Sequence, residues 1–260
     1  MTLYARTVGD GPVDVVFMHG LFGQGKNWFT VVRSLETIAT SHLLDMPNHG
    51  HSPWTVEFDY DEMADIVGDW ILDTFDHPVV VVGHSMGGKI AMRFALQRPD
   101  AVAGLVVVDI SPARNDSALN FTSLVAGLKS LPLDNVVSRG WADRALAERI
   151  PDDDIRRFLL QNLQHKDDTW SWLPNLDMLG DNLHAVAGWK PAAGWTYDGP
   201  TLWVAGGRSD YVKETHHAAM RELFPAVRMV TVTQAGHWVH ADAPDTFVQT
   251  LRLFLSELSD

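Results

Sequence analysis

Gly83-His84-Ser85-Met86-Gly87-Gly88 lies between a run of valines, Pro78 to Val82, and a helical pattern carried by Ile90, Ala91, Phe94 and Ala95. A G-x-S-x-G element between a strand and a helix places its serine on a sharp turn, where the flanking glycines lack the β-carbons that would collide. The hydroxyl then stands exposed at the end of the strand, so Ser85 is the candidate nucleophile. The helix starting at Met86 turns its positive end and free N–H groups toward the same point, and the Met86 N–H is the natural first donor to an oxyanion. A plain glycine-rich turn with a surface serine is the alternative, and the strand and helix on either side argue against it.

A serine hydroxyl needs a base at neutral pH. Gly236-His237-Trp238 follows the apolar run Val227 to Val232 and comes after the serine in chain order, which makes His237 the expected base and His240 its nearby competitor. A carboxylate must then hold the imidazole in the right tautomer. Two aspartates qualify: Asp109, ending the run Leu105 to Val108, and Asp210, in the Gly206 to Asp210 loop after Thr201 to Val204. Chain order does not separate them, and the other is expected to cap a helix or line the pocket rim.

These residues need a scaffold that brings strand ends together. Val13 to Met18, Pro78 to Val82, Leu105 to Val108, Thr201 to Val204 and Val227 to Val232 are continuous apolar runs, as in strands covered on both faces. Between them lie helical patterns: Met63, Ile66, Val67, Trp70 and Ile71, with Asp59 and Asp61 available as caps; Ile90 to Ala95, stopping before Pro99; and Pro244 through Leu255. The alternation predicts an α/β fold, a mostly parallel sheet flanked by helices. From Pro112 to about Trp195 it breaks into short helices (Asn115 to Leu128, Asn135 to Arg149, Asp152 to Leu163, Leu176 to Val186) with no convincing strand. The expected organisation is a core of residues 1–111 and 197–260 with a helical cap, 112–196, inserted over the carboxyl edge of the sheet.

Composition bounds the chemistry. The 260 residues are 46% apolar and 20% charged, an ordinary globular balance, and the absence of cysteine excludes disulfides, thiol nucleophiles and cysteine metal sites. A net charge of −13 disfavours nucleic-acid partners. No stretch reaches the roughly 18 apolar residues of a membrane span, and Met1 to Gly11 lacks the pattern of a signal peptide, so a cytoplasmic location is expected. Asp45, His42, His49 and His51 cluster, but their spacing matches no metal motif, and a metal-free loop is the expectation. Trp170, Trp172, Trp189 and Trp195 are expected mostly to pack the cap, with one or two available to substrate.

The chain resembles the α/β-hydrolase fold, and more narrowly the small YbfF-type esterases. The likeness rests on His19-Gly20-Leu21-Phe22-Gly23 with Asn27-Trp28, Asp45 to Ser52 (D-x-x-N-H-G-x-S), Gly83 to Gly88, Asp109-Ile110-Ser111-Pro112, Gly206 to Ser209 and Gly236 to His240. It implies a Leu21 backbone N–H as second oxyanion donor, and it favours Asp109 over Asp210 as the acid. It places Asn48 and His49 at the mouth of the site, and Phe22, His84, Trp238 and Asn48 are expected to border the substrate. The implied activity is cofactor-independent cleavage of small carboxylic esters with short to medium acyl chains, thioesters included. Acyl transfer, perhydrolysis and carbon–carbon bond hydrolysis use the same three residues, and some members of the fold are ligand-binding receptor modules. The oligomeric state is left open by the sequence.

Overall fold

Alternate residues of the central strands face opposite ways, and this two-residue period builds two cores from one sheet. The strands are β1 (Ala5–Val8), β2 (Val13–Met18), β3 (Ala39–Leu44), β4 (Val79–His84), β5 (Val102–Val108), β6 (Leu163–Lys166), β7 (Thr169–Trp172), β8 (Thr201–Gly206) and β9 (Val227–Val232) in a computed structural model that describes residues 2–190 and 194–258. Seven form the main sheet in the order β1-β3-β2-β4-β5-β8-β9, with β1 antiparallel to β3 and every other pair parallel.

The helices are α1 (Phe29–Arg33), α2 (Tyr60–Thr74), α3 (Met86–Gln97), α4 (Phe121–Lys129), α5 (Arg139–Leu146), α6 (Asp153–Leu160), α7 (Leu176–Asp181), α8 (Leu183–Ala187), α9 (His217–Leu223), α10 (Val239–Asp242) and α11 (Pro244–Glu257). Val16, Met18, Val81 and Val107 pack with Met63 and Val67 of α2 and Ile90 and Phe94 of α3. Their strand neighbours Val15, Phe17, Val80, Val82 and Val106 pack instead with Val31 and Val32 of α1 and Phe247, Leu251 and Phe254 of α11. Asp59 caps α2 by accepting from the Asp61 and Glu62 N–H groups. The parallel strands β2, β4, β5 and β8 all end on one edge, so the loops after them share a single neighbourhood.

Between β5 and β8 the structure departs from expectation. β6 and β7 form an antiparallel hairpin where only helices were expected. Its turn is Asp167-Asp168, both at positive φ (49° and 58°), the geometry of a tight two-residue hairpin turn that the polar sequence did not advertise. The expected helix from Asp152 to Leu163 accordingly ends at Leu160, and the one from Leu176 to Val186 breaks at Asn182 into α7 and α8. β1 and β3 were also missed: ARTV is short and polar, and ATSHLL carries Thr40, Ser41 and His42, so pairing of β3 with β2, and of β1 with β3, rather than apolar pattern makes them strands. Among the described residues no helix is long and apolar enough to cross a membrane.

Candidate active site

Ser85 joins β4 to α3 at φ 53°, ψ −116°, outside the regions ordinary residues occupy. The bend is possible because a Cβ on Gly83 would lie 2.3 Å from the Gly87 carbonyl oxygen, and one on Gly87 would lie 2.5 Å from that of Met18. Only glycine fits either position. The Ser85 N–H donates to the Val108 carbonyl (3.1 Å), tying the bend to the end of β5.

Asp109 follows directly on β5, fully buried and itself at positive φ (49°). Its N–H donates to the Val204 carbonyl in β8 (2.9 Å), which fixes the backbone while the side chain turns across the edge. One carboxylate oxygen accepts from the Gly206 N–H (2.8 Å); the other accepts from the Ser209 hydroxyl and from His237 Nδ1 (2.8 Å). With Nδ1 donating, Nε2 is left as an acceptor, and it lies 3.0 Å from Ser85 Oγ. Asp210 is exposed, and no hydrogen bond from it to His237 occurs among the described residues. The structure therefore brings Asp109, Ser85 and His237 together and leaves Asp210 at the surface.

The two backbone donors also have identifiable local causes. Met86 is the first residue of α3, where an N–H has no partner within the helix. The Gly23 N–H donates to the Gly20 carbonyl (2.9 Å), closing a turn whose third residue, Phe22, has φ 57°. Positive φ at the third position alone is the signature of a type II turn, in which the N–H of the second residue, here Leu21, stays free. His19 braces this turn: its Nε2 accepts from the Met46 N–H (2.9 Å), so Nδ1 carries the proton and donates to the Gly20 carbonyl (2.8 Å).

Ser85 sits where two narrow cavities of about 30 and about 20 Å³ meet. His84 and Trp238 line the first, with Phe121 of α4 and Phe158 of α6. Phe22 and Asn48 line neither. Phe22 is buried between the rings of His49 and Phe121, and the buried Asn48 side chain donates to Thr55 Oγ1 and accepts from the Thr55 N–H (both 2.8 Å), bracing its own loop. Buried His84 donates from Nε2 to the His237 carbonyl (2.9 Å), a strut between the serine turn and the histidine loop. Burial first, then the neighbouring His237 and His240, hold its pKa well below the ordinary value, so it is neutral. Asp45 accepts from the Gly25 and His51 N–H groups (2.8 and 2.9 Å), which makes it a loop brace. Of the four tryptophans singled out in the sequence, Trp170 and Trp172 lie on the hairpin, and Trp189 and Trp195 flank the Arg93 guanidinium.

Several participants were given no role by the sequence. Ser209 meets Asp109 only because the loop after β8 folds back, and the Tyr211 ring stacks on His237 with centroids 3.7 Å apart. Lys89, one turn after Ser85 and buried, donates to the carbonyls of Val186, Ala187 and Gly188 at the end of α8. Burial, with a smaller effect from Arg114, brings its pKa down to about 7.

A half-buried serine on a strand-to-helix bend, a histidine and carboxylate from later strand ends, and free N–H groups opposite are the arrangement of an α/β hydrolase. The chain belongs to the alpha/beta hydrolase fold family, which matches residues 14–244. It is 38% identical over 248 residues to the sn-1-specific diacylglycerol lipase ABHD11 of Mus musculus, covering 93% of this chain and 80% of that one. It is 29% identical over 243 residues to Esterase YbfF of Escherichia coli strain K12, covering 94% and 93%. A solved structure described as a marine microorganism esterase superposes with a TM-score of 0.93 at 32% identity, covering 97% of this chain and 98% of that one.

Proposed function

We propose that this protein is a carboxylic ester hydrolase that works through an acyl-enzyme on Ser85. The observation that carries the reading is the unbroken line from Asp109 through His237 to Ser85 Oγ. Ser85 Oγ attacks the ester carbonyl as its proton passes to His237 Nε2, and Asp109 stabilises the imidazolium. The Leu21 and Met86 N–H groups receive the oxyanion, each contributing about 2.7 to 4 kcal/mol by the effect of deleting such a donor. His237 then protonates the departing alkoxide oxygen, and the alcohol leaves. Water attacks the acyl-enzyme, gives its proton to Nε2, and collapse of the second tetrahedral species frees the carboxylic acid and regenerates the serine.

Residues 112–196 serve as the cap, contributing Phe121 and Phe158 to the walls beside Ser85. The narrowness of both cavities favours short to medium acyl chains, and a thioester presents the same carbonyl to the same groups. The relatives named as an esterase and a lipase support ester cleavage over the other reactions open to this triad. The test is labelling of wild type and Ser85→Ala by a fluorophosphonate, followed by turnover of nitrophenyl esters of rising chain length. Labelling and turnover of wild type alone are expected; equal labelling of both, or no turnover of any ester, would end this reading.

A further inference from the structure

The Leu21 N–H depends on a turn that its own sequence disfavours. Phe22 occupies the third position with φ 57°, a conformation that bulky residues rarely adopt and that type II turns normally give to glycine. Something outside the turn must hold it. The Phe22 carbonyl accepts a 2.7 Å hydrogen bond from Asn162 Nδ2, a side chain only 1% exposed and 140 residues away in the chain. Asn162 lies between α6 and β6, with its N–H on the Leu159 carbonyl (3.1 Å) and its own carbonyl accepting from the Leu173 N–H (2.9 Å).

The orientation of its amide is determined by its neighbours. Gln24 Nε2 donates to the Gln161 carbonyl (3.2 Å), which can only accept, so the atom that Gln24 Nε2 meets on Asn162 at 2.7 Å is the oxygen. The nitrogen must then face the Phe22 carbonyl. We infer that Asn162 is a positioning residue for the oxyanion hole: the cap reaches down through its amide and holds the Gly20 to Gly23 turn in the form that frees the Leu21 N–H. This rests on the ester hydrolase reading above. Without the amide, the buried Phe22 carbonyl loses its partner, the Leu21–Phe22 peptide rotates to relieve the positive φ, and the adjoining Leu21 N–H leaves its aim. Hydrogen bonds weaken steeply with angle, so the cost falls on the transition state, where the oxyanion forms, and hardly on substrate binding.

The experiment compares wild type, Asn162→Ala and the nearly isosteric Asn162→Asp, which sets a carboxylate against the Phe22 carbonyl. Gln24→Met, which frees the amide to rotate, is a fourth protein. Each is assayed for kcat and KM on 4-nitrophenyl acetate and for inhibition by a trifluoromethyl ketone, whose hemiketal oxyanion occupies the same hole, with thermal melts alongside. The expected loss in kcat is about 10- to 100-fold for the Ala and Asp variants, short of deleting a donor outright, with KM within about threefold. Ketone affinity should fall in step with kcat, and Gln24→Met should show the same pattern at smaller amplitude. A merely structural role would lower melting temperature and raise KM without that proportionality. Folded Asn162→Asp and Gln24→Met proteins with kcat near wild type, or a kcat loss with ketone affinity unchanged, would overturn the inference. If wild type fails to turn over the ester, or Ser85→Ala retains turnover, the hydrolase reading falls, and this inference with it.

Discussion

Replacing Asp109 by asparagine changes one atom, and the surroundings dictate which. The Gly206 N–H needs an acceptor at 2.8 Å, so the amide oxygen of the new side chain must stay on that side. The amide nitrogen is then forced to the position that meets Ser209 and His237. Ser209 can adapt by rotating its hydroxyl to accept. His237 Nδ1 must become the acceptor, which moves the ring proton to Nε2, where it points at Ser85 Oγ and blocks proton removal. Loss of the correct tautomer in a serine triad lowers kcat by about 10⁴, or about 5 kcal/mol of barrier. The assay is single-substrate kinetics on 4-nitrophenyl acetate for Asp109→Asn beside Asp210→Asn, with thermal melts to show that both fold. Asp210→Asn, altering an exposed carboxylate, should retain near wild-type kcat. Substantial turnover by a folded Asp109→Asn protein, or an equal loss in Asp210→Asn, would refute the reasoning.

Acid should destabilise the fold through buried histidines. His49 and His240 are buried and held down to about 3, chiefly by desolvation, so between about pH 6.5 and 3 the unfolded chain binds protons that the native state excludes. Stability is retained above pH 6.5 and falls as pH drops, by about 2 kcal/mol for each of the two at pH 5, while His19 and His84 shift in the same direction. Urea melts at pH 7.5 and 5 test this, and equal midpoints would contradict it. Gly87→Ala should cost about 3 kcal/mol or more, or abolish folding, because its Cβ would meet backbone oxygens of Met18 and His19 at 2.5 and 2.6 Å; a wild-type melting temperature would count against the close-approach argument. Lys89→Met leaves the Gly188 carbonyl without its donor and takes one of two donors from those of Val186 and Ala187, which keep the Tyr60 hydroxyl and the Asn115 N–H, for an expected loss of about 1 to 3 kcal/mol. Chemical denaturation measures it, and an unchanged midpoint would show that the ammonium does not hold α8 to α3.

The sequence by itself determined the parts of this protein whose constraints are local. The bend at Ser85 was legible because a strand, a turn and a helix meet within ten residues, and because a Cβ at Gly83 or Gly87 is excluded by backbone nearby in the chain or in the next strand. The central strands were legible because burial on both faces demands unbroken apolar runs, as in VDVVFM and VVVV. The tertiary structure alone decided what depends on direction and on distant partners. Asp109 and Asp210 both follow a strand on the same edge, and what separates them is the turn of Asp109 toward Gly206, Ser209 and His237. β1, β3 and the β6–β7 hairpin owe their form to hydrogen-bonded pairing, which polar residues satisfy without an apolar signature. The hydrogen bond from Asn162 to the Phe22 carbonyl spans 140 residues, and no local pattern can encode a contact between segments so far apart in the chain.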